Sequence, residues 1–175
     1  MAVTTRLISR DDVAVLVSLL RANREFLAPW EPLRTDEFFT IEHQQTAIAT
    51  TLEQYEQGTV MPHVILDDGT IVGRVTLNNI VRGPLQSAKI GAWVASAANG
   101  RGVASTALKA MIPVAFDELK LHRIAAATLL HNVRSQRVLE RYGFTRIGVA
   151  PRYLQIEGIY QDHVLYQLLA DDPRS

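Results

Sequence analysis

The chain has 175 residues, with 18 Lys plus Arg against 18 Asp plus Glu and no cysteine. The length suffices for a single domain with a sizeable core, expected here to span 1–175. Zero net charge argues against direct nucleic-acid binding, and the lack of cysteine excludes disulfides, thiolate metal sites and a covalent cysteine intermediate.

In chain order, residues 4–9 read as an opening strand. Asp11 or Asp12 is placed to cap a first helix with Val13, Leu16, Leu20 and Leu27 on its apolar side, ending before Pro29. "NREFLAPWEP" (23–32) is then a proline-broken turn with exposed-type aromatics. A second amphipathic helix fits 41–57 and is stopped by Gly58. "HVILDDGTIVGRVTL" is a hairpin about Asp68-Gly69, and "SAKIGAWVA" (87–95) is a further strand. Residues 102–119 carry Ala107, Leu108, Met111, Ala115, Phe116 and Leu119 at helical spacing, with Pro113 expected to kink the helix. A strand at 122–130, a short helix at 135–142 ended by Gly143, and strands at 144–149 and 160–169 complete the chain. The order is β, two helices, three strands, α, β, α, β, β. That is a mixed α/β (α+β) fold, mainly of antiparallel hairpins, with one crossover through the glycine-led helix. No apolar run reaches 18 residues and no signal-peptide pattern occurs, so the expected location is the cytoplasm, with no membrane contact.

Asn99-Gly100-Arg101-Gly102 lies between a strand and a helix. The first N–H groups of a helix lack internal partners and suit an anion, above all a phosphate. Gly100 and Gly102 allow close backbone approach, and Arg101 adds a forked cation. By its residues alone the loop reads either as a pyrophosphate cradle or as a plain two-glycine turn. It contains neither GxxxxGK[ST] nor GxGxxG. The five histidines show neither HxxxH nor HExxH spacing, and no metal is expected.

A second segment, "NVRSQRVLERYGF" (132–144), accompanies that loop. Together the two stretches resemble the GNAT N-acetyltransferase superfamily. The first is similar to its acetyl-CoA signature, Q/R-x-x-G-x-G/A. The second is similar to the N-x-x-S…L-E-x-x-G-F segment of the ribosomal-protein N-terminal (Rim-type) branch. "NREFLAPWEP", "IGAWV" and "GIYQDHVLYQLL" extend the likeness along nearly the whole chain.

The resemblance implies a mostly antiparallel sheet of about seven strands whose central strands splay apart to take acetyl-CoA. It implies that Trp93 and Val94 offer backbone groups to the pantetheine arm, and that the backbone from Gly100 through Arg101, Gly102, Val103 and Ala104 to Ser105 holds the pyrophosphate. Asn132 should meet the pantetheine, Ser135 should sit near the sulfur, and Arg137 should reach the nucleotide end. Asn99 stands where the signature has Gln or Arg, which puts one phosphate contact in doubt.

Amine acetylation needs a neutral amine, a donor for the developing oxyanion and a proton for the departing thiolate. Many relatives carry Tyr at the position of Leu139 and some carry Glu at that of Ala127; neither is present here. Ser135 is therefore the candidate acid, the alternative being that it caps the helix after Asn132. Glu25 and Glu157 are candidate bases acting through water, or else a solvated helix face and a turn residue. Phe26 and Trp30 line the acceptor groove or staple the first two helices; Trp30, Phe38 and Phe39 serve the acceptor site or a homodimer contact. Three functions stay open: an acetyltransferase for a peptide α-amine such as that of a ribosomal protein, the same chemistry on a small-molecule amine, and a non-catalytic acyl-CoA binding module.

Overall fold

The computed structural model describes residues 2–174. The strands are β1 (Val3–Leu7), β2 (Met61–Asp67), β3 (Thr70–Val81), β4 (Ser87–Val94), β5 (Arg123–Leu129), β6 (Thr145–Ile156) and β7 (Ile159–Leu169). The helices are α1 (Val13–Ala22), α2 (Arg24–Leu27), α3 (Ile41–Glu56), α4 (Val103–Pro113) and α5 (Val133–Arg141). The seven strands form one sheet in the order β1-β2-β3-β4-β5-β7-β6. Every neighbouring pair is antiparallel except β4 and β5.

The elements follow local chemistry closely. Asp68 and Gly69 both have positive φ, as the tight turn between β2 and β3 requires. Gly58 closes α3 in the left-handed region. Pro113 ends α4, and the chain continues as a wider π turn over Val114–Glu118 in which Leu119 N–H donates to Val114 O at 2.9 Å. Proline has no N–H to give the turn before it, and the wider turn keeps Val114, Ala115 and Phe116 in the core.

Four expectations are corrected. The first side-chain cap is Ser9, which accepts the Asp11 N–H; Asp12, at the N-cap position of α1, makes no cap bond to that helix, and its carboxylate completes a capping box by taking the Ser9 N–H and also takes both Arg6 Nη groups, each at 2.8 Å. Leu27 belongs to a separate short helix, although it still packs with Leu20. Phe39 is not exposed but buried with Leu20 and Leu27, and Phe38, half-buried, lies edge-on to it. Strand β6 runs seven residues beyond the expected Val149, through Pro151 and Arg152. An exposed edge strand with apolar residues on both faces and a proline inside it gives little period-two signal, and only its pairing with β7 defines it.

One core lies between the sheet and α4, built on Val75, Leu77, Ala107, Met111, Ile124 and Leu168. A second, with Ile8, Leu16, Ile48 and Val64, lies on the opposite face under α1 and α3. Both faces of the central strands are thus covered except where β4 and β5 part.

The Arg6 guanidinium holds the Asp12 carboxyl below the usual carboxylate range; burial opposes this, and the Ser9 N–H adds to it. Asp12→Ala should lower the unfolding free energy at pH 7 by about 1–2 kcal/mol, because a loop N–H and a bidentate pair, screened by solvent on its half-exposed Arg6 side, lose their buried carboxylate together. A lowered native pKa gives stability that is present above the unfolded value of ~3.9 and lost as pH falls through the native one, so urea unfolding should show the gap closing below about pH 3.9. At Gly73 an added Cβ would stand 2.2 Å from Trp93 O and 2.9 Å from Val94 Cα, both backbone atoms. Gly73→Ala should cost about 1–3 kcal/mol in thermal unfolding, whereas Gly91→Ala, whose nearest neighbour is a side-chain atom at 3.9 Å, should be tolerated.

Candidate active site

The site is built on a parallel pair that stops early. β4 and β5 pair only at Ser87↔Arg123, Ala88↔Ile124 and Lys89↔Ala125. At that end Gln86 O accepts both the His122 and the Arg123 N–H, at 2.7 and 3.1 Å. Beyond it each strand keeps its other partner: β4 stays on β3 as far as Val94, and β5 stays on β7 as far as Leu129. The two therefore diverge, leaving a V-shaped gap with strand backbone along each wall.

Trp93 and Val94 face different ways across β4. Ala95 N–H donates to Val72 O at 2.8 Å, and Trp93 O lies against Gly73. Peptide groups alternate along a strand, so Trp93 turns its backbone to β3, while Val94 turns its N–H and C=O into the gap. The Trp93 side chain instead packs against Leu20, Leu27 and Phe39.

At the mouth of the V, Gly100 and Gly102 have φ of +82° and +81°, and Gly102 starts α4 with no side-chain cap. The first intrahelical bond is Thr106 N–H to Gly102 O, so Val103, Ala104 and Ser105 head the helix with N–H groups that have no partner in its own turn. The Ser105 hydroxyl is directed away, onto the Tyr142 hydroxyl at 3.1 Å. A diphosphate fits this unfilled helix start. Arg101, expected over the loop, lies elsewhere: its Nη2 is 2.8 Å from the buried Asp67 carboxylate at the end of β2. Asn99 Oδ1 accepts the Gly100 N–H at 3.0 Å and Arg134 Nη1 at 2.9 Å.

On the other wall, Asn132 caps α5 by accepting the Ser135 N–H at 3.2 Å. The capping oxygen is thus that of Asn132, and the Ser135 hydroxyl takes no part. Arg137 is exposed on α5, while Leu139 is buried in the core. α5 begins two residues earlier than expected because this cap sits at Asn132.

The acceptor side is closed by loops. The Trp30 and His131 rings lie 5.5 Å apart, joining the proline-broken loop to the end of β5 beside Asn132. Glu157 N–H donates to Glu31 O at 3.0 Å, joining that loop to the β6–β7 turn. A bulge in β6 carries Tyr153 back over the sheet, where its hydroxyl accepts from Lys89 Nζ at 2.9 Å. His163 is buried beneath Tyr153, and its Nδ1 carries the proton because it meets the Gln161 carbonyl at 2.9 Å. Between these loops lies a hollow lined by Leu20, Arg24, Leu27, Glu31, Phe39 and Glu157. Burial pushes the Glu31 carboxyl above its ordinary range, with Arg34 opposing. Glu31 carries no motif in the sequence; its place between Trp30 and Pro32 is the one local signal for it. Glu25 and Phe26 are exposed on α2 and do not line the hollow.

Comparison with known proteins agrees with this geometry. The [ribosomal protein uS5]-alanine N-acetyltransferase of Escherichia coli is 32% identical over 169 residues, covering 95% of this chain and 87% of the relative. The ribosomal-protein-S5-alanine acetyltransferase of Vibrio fischeri superposes with a TM-score of 0.93 at 32% identity, over 100% of this chain and 97% of that one. Mycobacterium smegmatis RimJ, solved with CoA-disulfide, does so with 0.93 at 33%, over 97% and 82%. Residues 3–145 match the acetyltransferase (GNAT) domain family, and with the parted strands, the glycine-led helix start and these relatives, the chain belongs to that family.

Proposed function

We propose that this chain moves an acetyl group from acetyl-CoA to the N-terminal α-amine of a protein, a ribosomal protein being the acceptor that its relatives' names suggest. The observation that carries the reading is the V between β4 and β5, opening directly onto the uncapped start of α4. A ribosomal acceptor places the reaction in the cytoplasm; among the described residues no helix is long and apolar enough to cross a membrane.

Acetyl-CoA, when bound, supplies an acyl thioester activated toward an amine. In this reading the N–H groups of Val103, Ala104 and Ser105 hold the diphosphate, helped by the positive end of α4. Val94 turns its N–H onto the thioester carbonyl, polarising it, while its C=O accepts from an N–H of the amide arm. Trp93 holds β4 in place by packing and contributes no backbone group to the gap. Asn132 keeps its amide nitrogen for the same arm, since its oxygen is spent on the α5 cap. Ser135, near the start of α5, hydrogen-bonds the departing thiolate and relays to it the proton that the attacking amine loses, so its hydroxyl ends as it began.

The acceptor enters through the hollow between the Trp30–Glu31 loop and the β6–β7 turn. Glu31 and Glu157 are the carboxylates there, and Glu31 replaces Glu25 as the acid that meets an incoming ammonium. No carboxylate stands at Ala127, on the open arm of β5. The site therefore relies on amines that are already partly neutral: near pH 7 roughly a tenth of an α-amine (pKa ~7.7–8.0) is neutral, against on the order of a thousandth or less of a lysine (pKa ~10.4).

Incubation with acetyl-CoA and a peptide carrying both a free N-terminus and a lysine should give N-terminal acetylation at least about tenfold faster, from the difference in neutral fraction. Mass spectrometry locates the group; faster modification of the lysine, or of a free small amine at equal concentration, overturns the acceptor assignment. Ser135→Ala should lower kcat by about 10- to 100-fold while the CoA Kd stays within about twofold. An unchanged kcat removes Ser135 from the reaction.

A further inference from the structure

The cation that the glycine loop carries does not face the cradle. The charge of Arg101 is engaged by Asp67, 7% exposed, on β2. A buried carboxylate that gives up its cation is left uncompensated, so this pair resists rearrangement. Asn99, one position from the glycines, is neutral and short. Yet the anion site is not left without a cation. Arg134 reaches across from the first turn of α5, and its Nη1 donates to Asn99 Oδ1 at 2.9 Å. Its Nη2 stands 3.2 Å from where a Cβ on Gly100 would sit. Gly100 has φ of +82°, and the space that a side chain would take there is next to this guanidinium.

We infer that Arg134, held by Asn99 across the mouth of the V, is the phosphate-binding cation of the cradle, in place of Arg101. The inference rests on the reading that the cradle takes the diphosphate of CoA. A guanidinium offers five N–H donors in a fixed fork, and Asn99 occupies one, leaving Nη2 directed at the loop. Arg137 follows three residues later on the same exposed helix side, so the positive charge continues along α5 from the cradle. The neutral Asn99 thus acts as a positioning residue. It fixes the torsions of a long side chain that would otherwise lose several rotamers on binding. The bond also ties the two walls together, because Asn99 follows β4 and Arg134 follows β5.

The test uses titration calorimetry of the full chain with two probes: CoA, and acetyl-pantetheine, which has the amide arm and thioester but no phosphate. Arg134→Ala should weaken CoA binding about tenfold or more, from the loss of charge-assisted bonds to phosphate. It should leave acetyl-pantetheine binding unchanged, and Arg134→Lys should recover part of the CoA affinity. The salt dependence of CoA binding should also flatten in the alanine variant. Equal CoA affinity in Arg134→Ala and wild type overturns the assignment. So does an equal loss for both probes, which marks a structural role. Absence of CoA uptake by the wild-type chain sinks the donor reading itself, a result distinct from either.

Discussion

The structure depends on one broken partnership, the parallel pairing of β4 with β5, which holds for three residue pairs and then ends. Each strand is bound more extensively on its other side, β4 to β3 and β5 to β7. The sheet can therefore lose this ladder without losing the strands. The result is a gap whose walls are strand backbone, placed where a chain with amides of its own can complete the missing bonds. The glycine loop and α4 follow from the end of one wall, and Asn132 with α5 follow from the end of the other. An uncapped helix start, a wall of strand backbone and the first turn of α5 are thus set around one gap because two strands diverge.

Charge is arranged locally in a chain of zero net charge. Arg6 serves Asp12, Arg101 serves Asp67, and Arg24 lies over Phe39 and pairs with Asp36. These cations hold segments of the fold and are occupied in doing so. The guanidinium that reaches the glycine loop comes from a helix thirty-odd positions away in sequence and is aimed by a neutral amide.

The acceptor side is assembled from loops, and its chemistry is correspondingly mild. Trp30 against His131 and Glu31 against Glu157 fix the proline-broken loop between the end of β5 and the β6–β7 turn. Tyr153 on Lys89 closes the remaining side through a bulge. The acids here lie at the edge of a hollow, with alanine where β5 opens.

The sequence by itself determined the order of helices and strands, the positive-φ turns, the glycine-led helix start and the family. These rest on residues adjacent in the chain: periodic apolar positions, Asp68-Gly69, Gly58, Gly100 and Gly102, and a motif pair of fixed spacing. Tertiary structure alone decided that Ser9 caps and Asp12 pairs, that β6 runs to Ile156, that Val94 rather than Trp93 faces the gap, that Glu31 lines the hollow, that Arg101 pairs with Asp67 and that Arg134 meets Asn99. Each of these depends on a partner brought near by the sheet. A side chain's own identity states what it can bond with, but only the fold sets which bond lies within reach.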